Sequence, residues 1–151
     1  MNPFEVNRVS RQNILKLIEG LSVAQLNKIP EGYNNNIIWH VGHLIATQQL
    51  LIYRLSNTEV LITENIIDEF RKGTKPEKQY SEDDIKELKS MFIEVIHRTE
   101  QDYNYDVMNR YEEDYPTSYG IVLKHVDDAV RFNNIHEGLH LGYIMAMRKL
   151  V

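Results

Sequence analysis

The residues best suited to chemistry are two histidines four positions apart, His136 and His140, in the sequence His-Glu-Gly-Leu-His. Their surroundings have helical spacing, and residues four apart lie on one face of a helix, so both imidazoles can bind one divalent metal ion. Zinc peptidases with an HExxH sequence take their third ligand from farther along the chain. The eleven residues after His140 contain no His, Cys, Asp or Glu. A third protein ligand must therefore come from upstream.

His43 is the strongest candidate for that third ligand. It lies in the segment Trp39-His40-Val41-Gly42-His43, near the start of a predicted helix, and it shares one helical face with Trp39 and Leu50. Gly42 has no side chain, so another helix or a ligand can approach the backbone closely beside His43. His40 projects nearer the start of the helix and is predicted to lie behind a ligand or at the rim of the site.

The other two histidines fit a metal site less well. His97 lies in the middle of a predicted helix among charged and polar residues and is expected to face solvent, while His125 lies just ahead of the last predicted helix. Cysteine is absent, which excludes thiolate ligands and leaves imidazole and carboxylate as donors. An alternative interpretation is that His136 and His140 are core residues satisfied by hydrogen bonds alone.

Length and composition bound the class of protein. A chain of 151 residues with 42% hydrophobic content predicts one domain spanning residues 1–151. The N-terminus lacks the pattern of a signal peptide, and no apolar run approaches the roughly 20 residues of a membrane span. We therefore expect a soluble cytoplasmic protein. The 22 acidic and 17 basic side chains give a net charge of -5 with no basic patch, which argues against a nucleic-acid partner.

The apolar periodicity is helical along most of the chain. Four long helices are predicted, at residues 4–18, 37–55, about 82–103, and from Asp127 or Asp128 to the C-terminus. A turn behind Ser22, a short helix at about 64–71 and a weak strand pattern at 120–126 complete the prediction. These elements indicate an all-α helix bundle. The roughly 25 residues between the second and third helices are enough to let these two run parallel.

The segment 104–124 is rich in tyrosine and contains Pro116 and Gly120. It is predicted to be an ordered loop that closes a pocket at the metal end of the bundle. The tyrosines concerned are Tyr103, Tyr105, Tyr111, Tyr115 and Tyr119. Two alternatives are surface tyrosines that only pack over the end of the bundle, and a contact surface of an interaction module.

Two segments together resemble a known family. Residues 36–44, which read Asn-Ile-Ile-Trp-His-Val-Gly-His-Leu, and residues 133–142, which read Asn-Asn-Ile-His-Glu-Gly-Leu-His-Leu-Gly, are similar to the two signature segments of the DinB-like (DinB/YfiT) superfamily. The resemblance extends over essentially the whole chain. It implies a four-helix bundle of up-down-down-up order in which His43, His136 and His140 bind a divalent metal.

The resemblance also suggests an activity. Characterised members of this superfamily include transferases and isomerases that use low-molecular-weight thiols, so it implies a metal-dependent thiol S-transferase. The expected cofactors are Zn or Ni and a low-molecular-weight thiol, the expected partner is a small-molecule substrate, and a homodimer is compatible with the family. Tyr143 stands where many relatives carry glutamine, so the surroundings of the site differ from the family pattern.

Two further functions stay open from the sequence alone. The metal of a non-enzymatic metal or small-molecule binder would only join the second and fourth predicted helices. An HExxH metallohydrolase would need Glu137 as its general base. One residue along a helix is a turn of about 100°, so Glu137 points away from the direction shared by His136 and His140, and a structural role is favoured for it.

Overall fold

The structure is a computed structural model that describes residues 2–104, 108 and 111–151. Its helices are α1 (Pro3–Ile18), α2 (Val23–Asn27), α3 (Ile37–Gln48), α4 (Glu64–Phe70), α5 (Glu82–Asn104) and α6 (Val126–Met147). Two short strands, β1 (Tyr115–Pro116) and β2 (Val122–Leu123), pair antiparallel. The prediction of an all-α protein is confirmed, because the described residues are mostly helical and this pairing is their only sheet.

Helices α1, α2 and α3 begin where polar side chains accept hydrogen bonds from free backbone N–H groups. The Asn2 side chain accepts from the Phe4 N–H at the start of α1, and Asn36 accepts from the Trp39 N–H at the start of α3. Ser22 forms a reciprocal capping box with Gln25 at α2, as expected for a turn behind Ser22. The start of α2 was therefore predicted from the sequence.

Two predicted helices differ from the structure. The second was expected to run as regular α-helix to residue 55, but α3 continues as a π-helical turn, Gln49–Tyr53, and a 3-10 turn, Arg54–Ser56. The extra residue of the π turn lets Gln48 and Gln49, both fully buried, make separate contacts: Gln48 donates to Thr99, and Gln49 accepts from the Leu61 N–H. The fourth helix ends at Met147 instead of continuing to the last residue.

The core is built around α3. Helix α1 packs mainly on α5 and α6, while α3 packs on α4, α5 and α6. Most of α3 is apolar and inaccessible to solvent, including Ile37, Val41, Leu44 and Ile45, so this helix lies at the centre of the larger hydrophobic cluster. Helices α3 and α6 pack against each other and against further helices, which holds the site residues on both of them in place.

The predicted close approach at Gly42 is confirmed, and the approaching element is α4. A Cβ atom added at Gly42 would lie 2.4 Å from the nearest ring carbon of Phe70, a separation at which atoms overlap. The Phe70 ring is almost fully buried and stacks against Tyr80. Gly42 therefore fixes the end of α4 against the part of α3 that carries His43.

None of the helices among the described residues combines the length and the apolar character that crossing a membrane requires.

Candidate metal centre

The structure brings His43, His136 and His140 together. One nitrogen from each ring can be chosen so that the three lie within 4.8 Å of one another. His43 comes from α3, and the other two come from successive turns of α6. His43 and His140 are buried and His136 is partly buried. This cluster of three imidazoles, called the His cluster below, could hold a metal ion.

Hydrogen bonds on the far sides of the rings decide which nitrogens face inward. His43 donates from Nδ1 to the Phe70 carbonyl at 2.7 Å, which leaves its Nε2 unprotonated in the neutral ring. The Nδ1 atoms of His140 and His40 lie 2.7 Å apart, and the Nε2 atoms of His140 and His136 lie 3.1 Å apart. The Nε2 atoms therefore form the inner side of the His cluster.

In the proton count of the His cluster, His136 Nδ1 is the nitrogen that is left without a hydrogen-bond partner among the described residues. If His140 donates from Nδ1 to His40, both His140 and His43 present a bare Nε2, and His136 can supply one proton between them. The Thr47 hydroxyl lies 3.3 Å from the His43 Nε2 and is a second donor. Histidine nitrogens that converge in this way are a typical set of ligands for a divalent cation.

Electrostatics keep the four buried imidazoles neutral. Burial, with a smaller effect from His43, lowers the pKa of His40 from 6.5 to about 4. Burial and then the neighbouring positive groups lower the pKa of His136 to about 3. The pKa values of His43 and His140 are also lowered, with burial as the largest cause. Neutral rings keep their lone pairs at neutral pH, and metal binding requires those lone pairs.

The spacing of the His cluster suits a small divalent cation. Imidazole nitrogens bind zinc at about 2.0 to 2.1 Å, so in a tetrahedral site they lie roughly 3.4 Å from each other. The Nε2 atoms of His136 and His140 are separated by 3.1 Å. Small ring rotations within the 4.8 Å spread of the cluster would reach the ideal spacing. Three nitrogen ligands then leave a fourth position open.

Aromatic side chains fix the rings from outside. Trp39 stacks on His43 with 4.6 Å between ring centroids and an interplanar angle of 11°, and its indole N–H donates to the Thr74 hydroxyl at 3.0 Å. Tyr143 stacks on His40 at 5.7 Å. Tyr143, which differs from the glutamine expected from the resemblance, therefore covers His40, the histidine that contacts His140.

Glu137 lies in a different environment, although its neighbour in sequence belongs to the His cluster. Its side chain is fully buried and accepts from Arg11 Nε at 2.9 Å and from Arg11 Nη2 at 2.7 Å. Arg11 also donates to the Phe92 carbonyl and lies over the Phe92 ring. The carboxylate therefore joins α6 to α1, which is the structural role favoured by the sequence.

A cavity of about 290 Å³ opens beside the His cluster. Tyr115 and Tyr119 of the tyrosine-rich segment line it, together with apolar residues of the π turn and of α6. Tyr111 is instead buried against the Leu51 carbonyl, and Tyr103 packs on Phe4. Tyr105 lies outside the described residues. The predicted pocket cover thus involves two of the five tyrosines.

Sequence reasoning placed the remaining histidines correctly but missed several contacts. His97 and His125 are exposed and lie outside the His cluster, and His40 lies behind His140. Arg11 was missed, although its helical spacing from Ile14 and Ile18 could have signalled an inward position. The Phe70 carbonyl carries no signal in the sequence, because every residue has one.

Comparison with known proteins agrees with the geometry. The family model of the DinB superfamily matches residues 8–144, a range that includes α3, α4, α5 and all four buried histidines. A search of curated proteins found no match. The chain therefore belongs to the DinB superfamily.

Proposed function

We propose that this protein is a metalloenzyme in which His43, His136 and His140 bind Zn or Ni, and that it transfers a low-molecular-weight thiol to a small electrophile. The observation that carries the proposal is the convergence of one ring nitrogen from each of His43, His136 and His140 beside a cavity of about 290 Å³. Buried polar atoms normally have partners inside the protein, and a cluster of neutral nitrogens gains one by binding a cation.

The proposal includes a single domain at residues 1–151 folded as a four-helix bundle of up-down-down-up order. Two side-chain contacts support the parallel pair that this order requires: Gln48 meets Thr99, and Tyr53 meets Asp102. From the first contact to the second, residue numbers increase both along α3 with its π turn and along α5, as they do when two helices run parallel. A long connection between these helices is what a parallel pair needs.

When bound, a divalent cation would supply a Lewis acid with one open position, where a thiol loses its proton more readily. The chain's own residues orient the ligands: the Phe70 carbonyl holds the ring of His43, and His40 holds the ring of His140. Such supporting hydrogen bonds commonly change metal affinity by about 10-fold to 100-fold. The Thr47 hydroxyl lies 3.3 Å from His43 Nε2, so it would lie near a metal held by that nitrogen.

The test compares His140→Ala with the matched variant His97→Ala. His140→Ala should lose most of its bound metal in elemental analysis and most of its turnover of a small thiol with an aryl chloride, because one of three ligands is gone. His97→Ala should keep both, since His97 is exposed and outside the His cluster. Equal metal content in the two variants would contradict the ligand assignment.

A second candidate function is supported by the way the His cluster joins α3 to α6. In that case the metal is structural, and the protein binds metal without catalysis. Chelation separates the two candidates. If removal of the metal abolishes turnover while circular dichroism shows retained helicity, the enzyme is supported. If removal only unfolds the bundle, the structural role is supported.

A further inference from the structure

The cavity beside the His cluster has walls that are mainly apolar and aromatic. Leu50, Leu51, Phe132 and Leu139 line it together with Tyr115 and Tyr119. Among the described residues that line this cavity, Lys72 is the single charged side chain apart from the histidines, and neither Asp nor Glu occurs. A ligand that fits must therefore present a largely apolar body.

Lys72 differs from the cations around it. Arg71 pairs with Asp68 at 3.3 Å, and Lys78 pairs with Glu69 at 3.2 Å. Lys72 lies between Arg71 and Lys78 in the sequence, but it has no ion pair within the described part of the chain. It also lines a second cavity of about 910 Å³ on the other side of His43. The Lys72 ammonium is therefore available to a ligand in the first cavity.

The balance of charge at this cavity is positive. Resting on the proposed metal centre, the site would combine a dication, three neutral imidazoles and Lys72, with no carboxylate in the described lining to compensate. Lys72 is exposed, so water screens part of its charge, but positive groups gathered at one cavity still favour an anionic ligand there. A substrate with one negative group would provide it.

We propose that this cavity binds a small organic anion, with its apolar or aromatic body against Phe132 and Leu139 and its carboxylate or similar group on Lys72. The proposal narrows the substrate class of the enzyme to electrophiles that carry an acidic group. It also identifies Lys72 as the residue that selects them over neutral analogues.

The test measures binding of two probes of equal shape, 3-phenylpropionate and the neutral 3-phenylpropionamide, by isothermal titration calorimetry with the metal-loaded protein. Lys72→Gln should weaken the acid about fivefold, the scale of one partly exposed ion pair, and leave the amide unchanged. Lys75→Gln is the matched control, because Lys75 is exposed and lines only the larger cavity. It should leave both probes unchanged.

Three results would overturn the proposal: equal binding of acid and amide, an acid affinity that ignores Lys72→Gln, or an acid that needs the metal but not Lys72. A second pair, 3-mercaptopropionate and 1-propanethiol, identifies the source of the anion. Lys72 dependence in that pair alone would place the negative group on the thiol and contradict the assignment. Failure of the metal centre is seen separately, as absence of metal in elemental analysis of the wild-type protein.

Discussion

Two polar clusters are built from adjacent residues of α6, and they differ in the charge of the groups that meet. Glu137 meets Arg11, so a full negative charge has a positive partner and both side chains are fully buried. His136, one residue earlier, meets His140 with two nitrogens 3.1 Å apart. The first cluster pairs opposite charges within the chain, although Glu137 Oε2 has no hydrogen-bond partner among the described residues, whereas the second brings neutral imidazoles together.

The contrast shows how one short sequence can carry two roles. A turn of about 100° per residue directs Glu137 towards α1, while the two histidines face α3. In an HExxH hydrolase the glutamate would have to share the side of the metal. Here it bonds to a guanidinium instead, so the resemblance to that motif is one of residue order and not of geometry.

The largest expected effect comes from breaking the Arg11–Glu137 pair. Glu137→Ala should lower the free energy of unfolding by about 3–5 kcal/mol, because the buried Arg11 guanidinium would lose its charged partner. The double variant Arg11→Met with Glu137→Leu should recover most of this loss, since neither charge then remains buried. Urea denaturation measures both variants.

Glu137→Gln sharpens the same comparison. It keeps the shape of the side chain and should lower stability while leaving the metal content unchanged. If Glu137→Gln abolished turnover at unchanged stability and metal content, Glu137 would be a catalytic base and the division of α6 into two roles would be wrong.

A smaller effect is expected where α4 supports the His cluster. Gly42→Ala should cost about 1–3 kcal/mol of stability, as overpacking does, because the new methyl group would overlap the Phe70 ring. Since the Phe70 carbonyl holds His43, metal affinity in a competitive titration should fall as well. Gly138→Ala is the matched control, because no heavy atom lies within 4 Å of its added Cβ. Equal effects of the two changes would contradict this support.

The smallest expected effect is that of pH on metal binding. An ordinary histidine with a pKa of about 6.5 is half protonated at pH 6.5, so three of them would weaken metal binding about eightfold relative to pH 8. The pKa of His136 is lowered to about 3, and those of His43 and His140 are lowered in the same direction. Protons then compete only at more acidic pH. Affinity should change by less than about twofold over this range, and an eightfold loss would contradict the lowered pKa values.

The parts of the structure that the sequence predicted depend on local rules. Helical spacing placed His136 and His140 on one face, and the side chain of Ser22 marked the start of α2. The single glycine in α3 indicated a close approach before its partner was known. These features follow from neighbours within a few residues, so one sequence is enough to read them.

The parts that were missed depend on distant partners. The π turn after Gln48 accompanies hydrogen bonds that join two consecutive glutamines to Thr99 and Leu61, which are distant in sequence. Arg11 and Glu137 are separated by 126 positions, and no local pattern pairs them. Lys72 follows a short surface helix, and its place beside the cavity results from the packing of α4 on α3.

The most direct test of the account is a crystal of the protein soaked in Zn²⁺ and measured at the zinc absorption edge. The account predicts one anomalous peak about 2.0–2.1 Å from the Nε2 atoms of His43, His136 and His140, with His40 bonded behind His140 and Glu137 still on Arg11. An absence of this peak, with the three rings hydrogen-bonded to one another, would contradict the central claim, as would a peak coordinated by Glu137.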